Sequence, residues 1–431
     1  MKRQILAPWS PVSGGEWEES QRRLCPESSS SPPGKSHHGY SKLITLLTFS
    51  ILFWNLATPT TAQDWTQFRG DSQQTGVARG QLPADPQVLW SHQLEEGVEA
   101  TAVVSGDRVF LGGLDGGFYA LDLATGTVQW KYQAEDSIRS SPALSEGVLF
   151  FGDEAGFVHA VSADTGKRKW RFETQGEVTS SPNLAGDCVL VGSFDQFIYC
   201  LSPADGAVRW KVETDGPVNA SPAVFGDQVL SSGCDGFLRS VKLSDGTEVL
   251  KVPLGGYVAA SAAVRGSQAY VGTFENQVLA VDLAKKDVAW RYEHPSRKFP
   301  FYSSAALAGE TVILGGRDKM IHAIDMKTGE ARWTFPTRGR IDASPVVLGD
   351  RVFAGGDSGV LYALKVDSGE EVWRYETGSS LGASPSIARD RLIISTMDGA
   401  VYCFGAPPKG ATSESSKASA SRTQSSKKGA S

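Results

Sequence analysis

The sequence predicts an all-β fold: an eight-bladed β-propeller of four-stranded antiparallel blades, closed by pairing of an N-terminal strand with the last blade. Three observations predict it. Tryptophan recurs at Trp90, Trp130, Trp170, Trp210, Trp290, Trp333 and Trp373, with Leu250 at the one remaining position of the series. Seven 33-residue blocks run to these anchors from Val98, Ile138, Val178, Val218, Val258, Phe301 and Ile341, and an eighth begins at Leu381 and stops near Phe404. Within each block, short Val, Leu, Phe and Tyr runs alternate with turn signals of the Gly-Asp, Asp-Gly and Thr-Gly kind. A repeat of about 40 residues suits a blade or a helical solenoid, and this strand grammar selects the blade.

The first block justifies each element in turn. Strand A is expected near Ala100 to Val104, B at Val109 to Gly112, C at Phe118 to Asp122 and D at Thr127 to Trp130. B and C are apolar on both faces, as strands sandwiched between neighbouring blades must be. Eight A-B-C sets exist, but the last has no D strand after it, while Gln87 to Trp90 is a D strand with nothing before it. The first strand should therefore complete the last blade and remove the open edge. Gly, at 47 of 431 residues, exceeds the usual ~7%, and the recurring turns account for much of the excess.

The run Ala120-Leu-Asp122-Leu-Ala-Thr125-Gly126-Thr-Val-Gln-Trp130 resembles the A-x-D-x-x-T-G-x-x-x-W tryptophan-docking motif of the PQQ-like repeat superfamily, and it recurs from Ala160, Cys200, Ser240, Ala280, Ala323 and Ala363. Asp64-Trp65-Thr-Gln-Phe68-Arg69-Gly70 resembles an element that precedes many exported propellers of this kind. The physical reading of the motif is packing. Gly supplies the C-to-D turn, the Trp ring lies between blades, and the small Ala, Cys or Ser leaves it room. WD-type repeats fit less well, since their Gly-His and Trp-Asp signatures are absent.

The ends have other compositions. Leu43 to Ala57 is a 15-residue apolar run with Lys42 before it and Ala62 as a cleavage point, so residues 1–62 read as an export leader, with an uncleaved anchor as the alternative. Residues 63–86 form an N-terminal extension, 87–404 the propeller and 405–431 a Ser/Lys-rich tail that cannot bury a core. The leader carries a net charge of +2 and the tail +4, which leaves -12 of the total -6 on the body. No basic, aromatic-interleaved stretch exists to bind nucleic acid.

The superfamily resemblance implies two trades. Quinoprotein dehydrogenases would bring PQQ, calcium, a catalytic Asp and often a disulfide between adjacent Cys. BamB-like propellers bind proteins without a cofactor. Adjacent Cys and blade insertions are missing here, so the expected function is an exported, non-enzymatic, monomeric scaffold of the periplasm or cell envelope that docks a protein or peptide on its loop face. A PQQ-dependent alcohol or sugar dehydrogenase is the alternative. The lipid-anchoring Cys typical of BamB-like factors does not follow the apolar run.

Propeller geometry gives equivalent residues of the eight blocks shared slots. No catalytic, cofactor or metal residue is assigned. Gly356-Asp357-Ser358-Gly359 resembles a serine-nucleophile string but occupies a B-to-C turn slot. His159 and His322 share one strand C slot four blades apart, too far to bind one metal together. Asp115, Asp195, Asp235, Glu275, Asp318 and Asp398 fall in one turn slot and form an acidic ring, with turn preference as the simpler reason. The second position of each block, beside the channel mouth, varies: Glu99, Arg139, Thr179, Asn219, Ala259, Tyr302, Asp342 and Gly382. With Arg297, Lys298 and Phe299 of the one ten-residue connector, these make the candidate partner surface, against the alternative that loop residues drift freely. Cys25 leaves with the leader, Cys200 and Cys403 read as packing residues in the small docking slot, and a Cys188–Cys200 bridge is not expected.

Overall fold

The computed structural model describes residues 63–407; the apolar run at 43–57 and nearly all of the tail lie outside them. The described residues form eight four-stranded antiparallel blades in a ring, and in blade seven a fifth strand, Val77–Ala78, pairs parallel with Val346–Leu348. Blade one comprises Val103–Ser105, Arg108–Gly112, Gly117–Asp122 and Val128–Gln133. Strand Gln87–Gln93 pairs antiparallel with Ala400–Gly405, so the closure expected from the strand count holds.

Strand A is shorter than expected and D longer. Residues 98–102 do not join a ladder because the neighbouring blade satisfies them: Thr101 N donates to Ser141 Oγ at 2.9 Å. The same bond recurs from Ser141 to Ser181, Ser181 to Ser221, Ser221 to Ser261, Ser261 to Ser304, Ser304 to Ser344 and Ser344 to Ser384, at 2.8–2.9 Å. These hydroxyls make a buried belt along the channel that ties blades one to eight in series.

The docking motif works across blades. Each small residue faces its own Trp across the C–D ladder, as Ala120 faces Trp130 and Cys200 faces Trp210. The Trp ring then covers the turn of the following blade. Its Nε1 donates to the carbonyl of Leu123, Ala163, Pro203, Leu243, Met326 or Val366 for Trp90, Trp130, Trp170, Trp210, Trp290 and Trp333, at 2.9–3.1 Å. A Cβ on Gly126 would lie 2.5 Å from the Trp90 ring, and its φ of 74° is left-handed, so Gly is required twice over.

One expectation is overturned. Cys188 and Cys200 form a disulfide, with Cα atoms 5.0 Å apart. Strands B and C are adjacent in this blade, Leu190 faces Cys200, and the diagonal neighbour Cys188 stands on the same face within bonding reach. Cys200 is buried as expected, but it is bridged. Cys403 keeps the packing role: it is buried, free and opposite Trp90, and burial pushes its thiol up to about 12.

Residues 63–78 cross the far end of the channel. Trp65 exchanges two 2.8 Å backbone bonds with Val104 of blade one, and Thr66 O accepts from Leu144 N of blade two at 2.7 Å. Ser72, Gln73, Thr75 and Gly76 accept from Val224, Val264, Leu307 and Val347 of blades four to seven at 2.7–2.9 Å, and Gln63 accepts from Arg389 of blade eight at 3.4 Å. In blade three the side chain of Asn183 substitutes, accepting from Leu184 N and donating to Ser72 O, each at 2.8 Å. The segment is thus a plug whose backbone satisfies the innermost strands of the ring.

Candidate functional site

Two backbone bonds that recur in all eight blades build the open mouth. The first residue of each B-to-C turn donates to the connector residue just before its block, from Leu114 to Gly97 through Met397 to Ser380. The first residue of each block donates to the turn of the preceding blade, and Val98 to Thr396 at 3.1 Å closes the circle. This frame fixes the eight second-position residues at the axis, and each is half-buried.

Their chemistry divides the mouth into sectors. In blades one and two, Arg139 pairs with Glu99 and, at 2.5 Å, with Glu154. Burial opposes that charge, yet the two carboxylates outweigh it and raise the pKa of Arg139. Glu177 nearby is raised by burial and by Glu154. In blades four to six the wall turns apolar: Phe274 is buried, its ring centroid 4.6 Å from that of Tyr302, with Tyr257 and Ala259 packed alongside. Blade seven returns to charge. Arg317 lies 3.7 Å above the Tyr302 ring and grips Asp342 through two bonds of 3.0 and 2.8 Å. Burial nonetheless raises the Asp342 carboxyl pKa, with Arg317 opposing it. Asn219 Oδ1 and Tyr302 Oη are buried without a partner.

The long connector adds to the same rim. Arg297 donates to Asp318 O at 2.8 Å, Lys298 pairs with Glu293, and Phe299 is 39% exposed. The structure thus pairs Glu99 with Arg139 and, in a separate sector, groups Tyr302 and Asp342 with Arg317, which the sequence reading omitted. Thr179, Asn219, Ala259 and Gly382 complete the ring without charge.

The acidic slot and the strand C slot are two halves of one turn device. Asp195 accepts from Phe197 N and from Tyr199 Oη at 2.6 Å, and Asp235 accepts from Phe237 N and from Arg239 at 2.8 Å. His322 meets Asp318 at 3.2 Å and Tyr292 at 3.0 Å; His159 meets Asp153 at 2.9 Å and Tyr132 at 3.0 Å. Glu135, Asp153 and His159 offer three atoms within 4.8 Å, a spacing a metal ion could use. Arg171 already pairs with Glu135, however, and blade six builds the same Tyr–His–Asp trio, so the trio is explained by packing. Asp357 is held by Arg340 at 2.6 Å inside its turn, as the turn reading of the Ser358 string expected.

A PQQ–calcium centre does not fit the mouth. The ion would need free, charged carboxylates, and those of Glu99, Glu154, Asp342 and Asp357 are each paired with arginine, while burial and Glu154 oppose the charge on Glu177.

Sequence reasoning missed the serine belt and the plug. The belt had a readable signal, Ser or Thr at the fourth position of all eight blocks. The plug had only Trp65 and Arg69-Gly70, which do not reveal partners as far apart in sequence as Val104 for Trp65 and Ala305 for Arg69.

The family described as outer membrane protein assembly factor BamB matches residues 74–195 and 194–407. Direct comparison with curated proteins finds no match. Among solved structures, BamB from Moraxella catarrhalis superposes with a TM-score of 0.65 at 20% identity, over 74% of this chain and 100% of that one. Quinohemoprotein alcohol dehydrogenase from Comamonas testosteroni gives 0.68 at 14% identity, over 81% and 82%. The computationally designed Ika8 protein gives 0.66 at 16%, over 74% and 100%. At these identities the likeness is one of fold.

Proposed function

Because the chain belongs to the family described as outer membrane protein assembly factor BamB, we propose that it is an exported, non-enzymatic scaffold of the cell envelope that docks a protein or peptide at the channel mouth. One observation carries the reading. The serine belt just beneath the mouth repeats in every blade, whereas the eight residues above it share backbone positions and differ in chemistry. Packing alone tends to repeat a residue at equivalent positions; recognition requires differences. The aromatic arc of Phe274 and Tyr302, rimmed by charge and by exposed Phe299, has the apolar centre and polar edge of a docking surface.

The test is capture of envelope partners by the full chain against two charge reversals, Arg139→Glu and Arg297→Glu with Lys298→Glu. Loss of a captured partner, at unchanged melting temperature, supports the mouth. Identical capture by all three proteins removes it. Titration with PQQ and calcium, read by absorbance and melting, checks the dehydrogenase alternative, and uptake would overturn the non-enzymatic reading.

A further inference from the structure

Arg69 is the largest fully buried side chain of the described residues, 1% exposed, and it stands inside the channel on the plug. Its Nη2 donates to Ala305 O at 2.9 Å, and Gly76 lies so close that a Cβ there would overlap the guanidinium. Nε and Nη1 have no partner. Among the described residues no carboxylate pairs with it, because Asp71 turns away to accept from Thr75. Desolvation pushes the Arg69 pKa down to about 9, with Asp71 opposing the shift.

The level within the channel is fixed by neighbours. Ala305 and Pro222, whose carbonyls accept from Arg69 and from Gln74 Nε2, sit between the serine belt and the strand positions that hold the plug. Gln74 Oε1 and Trp65 Nε1 are also buried and unpartnered. Four of the eleven orphaned buried polar atoms among the described residues thus belong to three plug residues. A buried cation without a counter-charge is strongly unfavourable, and the two orphaned guanidinium donors, Nε and Nη1, mark a missing acceptor beside Arg69.

We propose that the axial channel binds a small monovalent inorganic anion, such as chloride, on Nε and Nη1 of Arg69. Charge sets the class: the anion supplies the counter-charge that no carboxylate supplies. Surroundings set the size and valence, since backbone carbonyls and Pro, Ala and Gly walls leave one cation and would repel a phosphate dianion.

Crystals of the full chain grown in bromide test this by anomalous diffraction, beside melting curves in chloride and in gluconate at equal ionic strength. The expected result is a bromide peak in contact with Arg69 Nε and Nη1, with melting that rises about 2–4 °C per tenfold increase in chloride. Arg69→Gln should lose both, and Arg69→Lys serves where that variant does not fold. No anomalous peak, with water in its place, overturns the proposal. A peak that survives in the variant overturns it as well, as does a peak without chloride-dependent melting, which is binding at crystal concentration only.

Discussion

The two ends of the channel are built from the same eight strands and spend their polar groups in opposite ways. At the plugged end one chain segment gives a backbone or side-chain contact to every blade, so the ring is held by a piece that belongs to none of them. At the mouth each blade meets only its neighbours, and the charged second-position side chains pair locally, Arg139 with Glu99 and with Glu154 of a turn, Asp342 with Arg317 of a turn. The difference teaches where substitution is tolerated. The plug as a segment is answerable to all eight blades, while a mouth residue is answerable to one or two.

The largest effect that can break this comparison is Trp65→Ala. The indole is 2% exposed and packs on Gly70, whose added Cβ would lie 2.6 Å from it. Removing such a buried ring costs about 3–5 kcal/mol. Phe299→Ala at the mouth, 39% exposed, should cost less than about 1 kcal/mol. Denaturant melts of the two variants settle the matter, and equal losses would mean that the plug does not organise the ring.

Next in size is the belt between the two ends. Ser181→Ala removes the acceptor of Ser141 N, a buried 2.9 Å bond, and should cost about 1–3 kcal/mol because a buried donor is left unmade. A change below ~0.5 kcal/mol would show that water replaces the hydroxyl.

How much of this was legible follows from which groups carry each contact. The blade count, the closure by Gln87–Gln93 and the Trp–Gly turns were readable because side chains repeat at a fixed spacing. Even an exception was informative: where Leu250 replaces Trp, Lys286 replaces the Gly of the next turn, at a φ of 58° with no ring above it. The plug was not readable, since seven of the eight blades donate their backbone N–H to plug backbone carbonyls that any sequence could offer. The Cys188–Cys200 bridge was missed because an approximate strand assignment does not tell a diagonal pair from a splayed one. Arg317 escaped because it stands in a turn slot that holds Leu114, Glu154 or Phe194 elsewhere.

Acid should separate the two ends. Asp64 anchors the plug through Ser105 Oγ at 2.7 Å and Arg389 at 2.5 Å. Burial would raise its pKa, but these partners prevail and lower it. A carboxyl with a depressed folded pKa stabilises above its unfolded value and loses that contribution as pH falls through the folded one. Asp64→Asn should therefore lower melting at pH 6 by a degree or two, about 0.5–1 kcal/mol after allowance for its partial exposure. The gap from the wild type should close below about pH 3, and a gap that widens on acidification would contradict the assignment.

Asp342 should show the smallest effect and the opposite sign. Its folded pKa is raised by burial despite the bidentate grip of Arg317. A raised carboxyl favours the fold while protonated, and that advantage fades as pH climbs through the folded value. Asp342→Asn keeps one acceptor for Arg317 and removes the buried charge. At neutral pH the loss of the ion pair and the relief of desolvation then work against each other, and melting should move by no more than about 2 °C. The informative measurement is the difference between variant and wild type from pH 7 to 3. Asp342 predicts that the wild type gains on the variant as pH falls, whereas Asp64 predicts the reverse relative change at the plug. Parallel curves for the two pairs of proteins would mean that Arg317 dominates at Asp342, and the mouth would then be a second clamp instead of a surface whose charges are free to answer a partner.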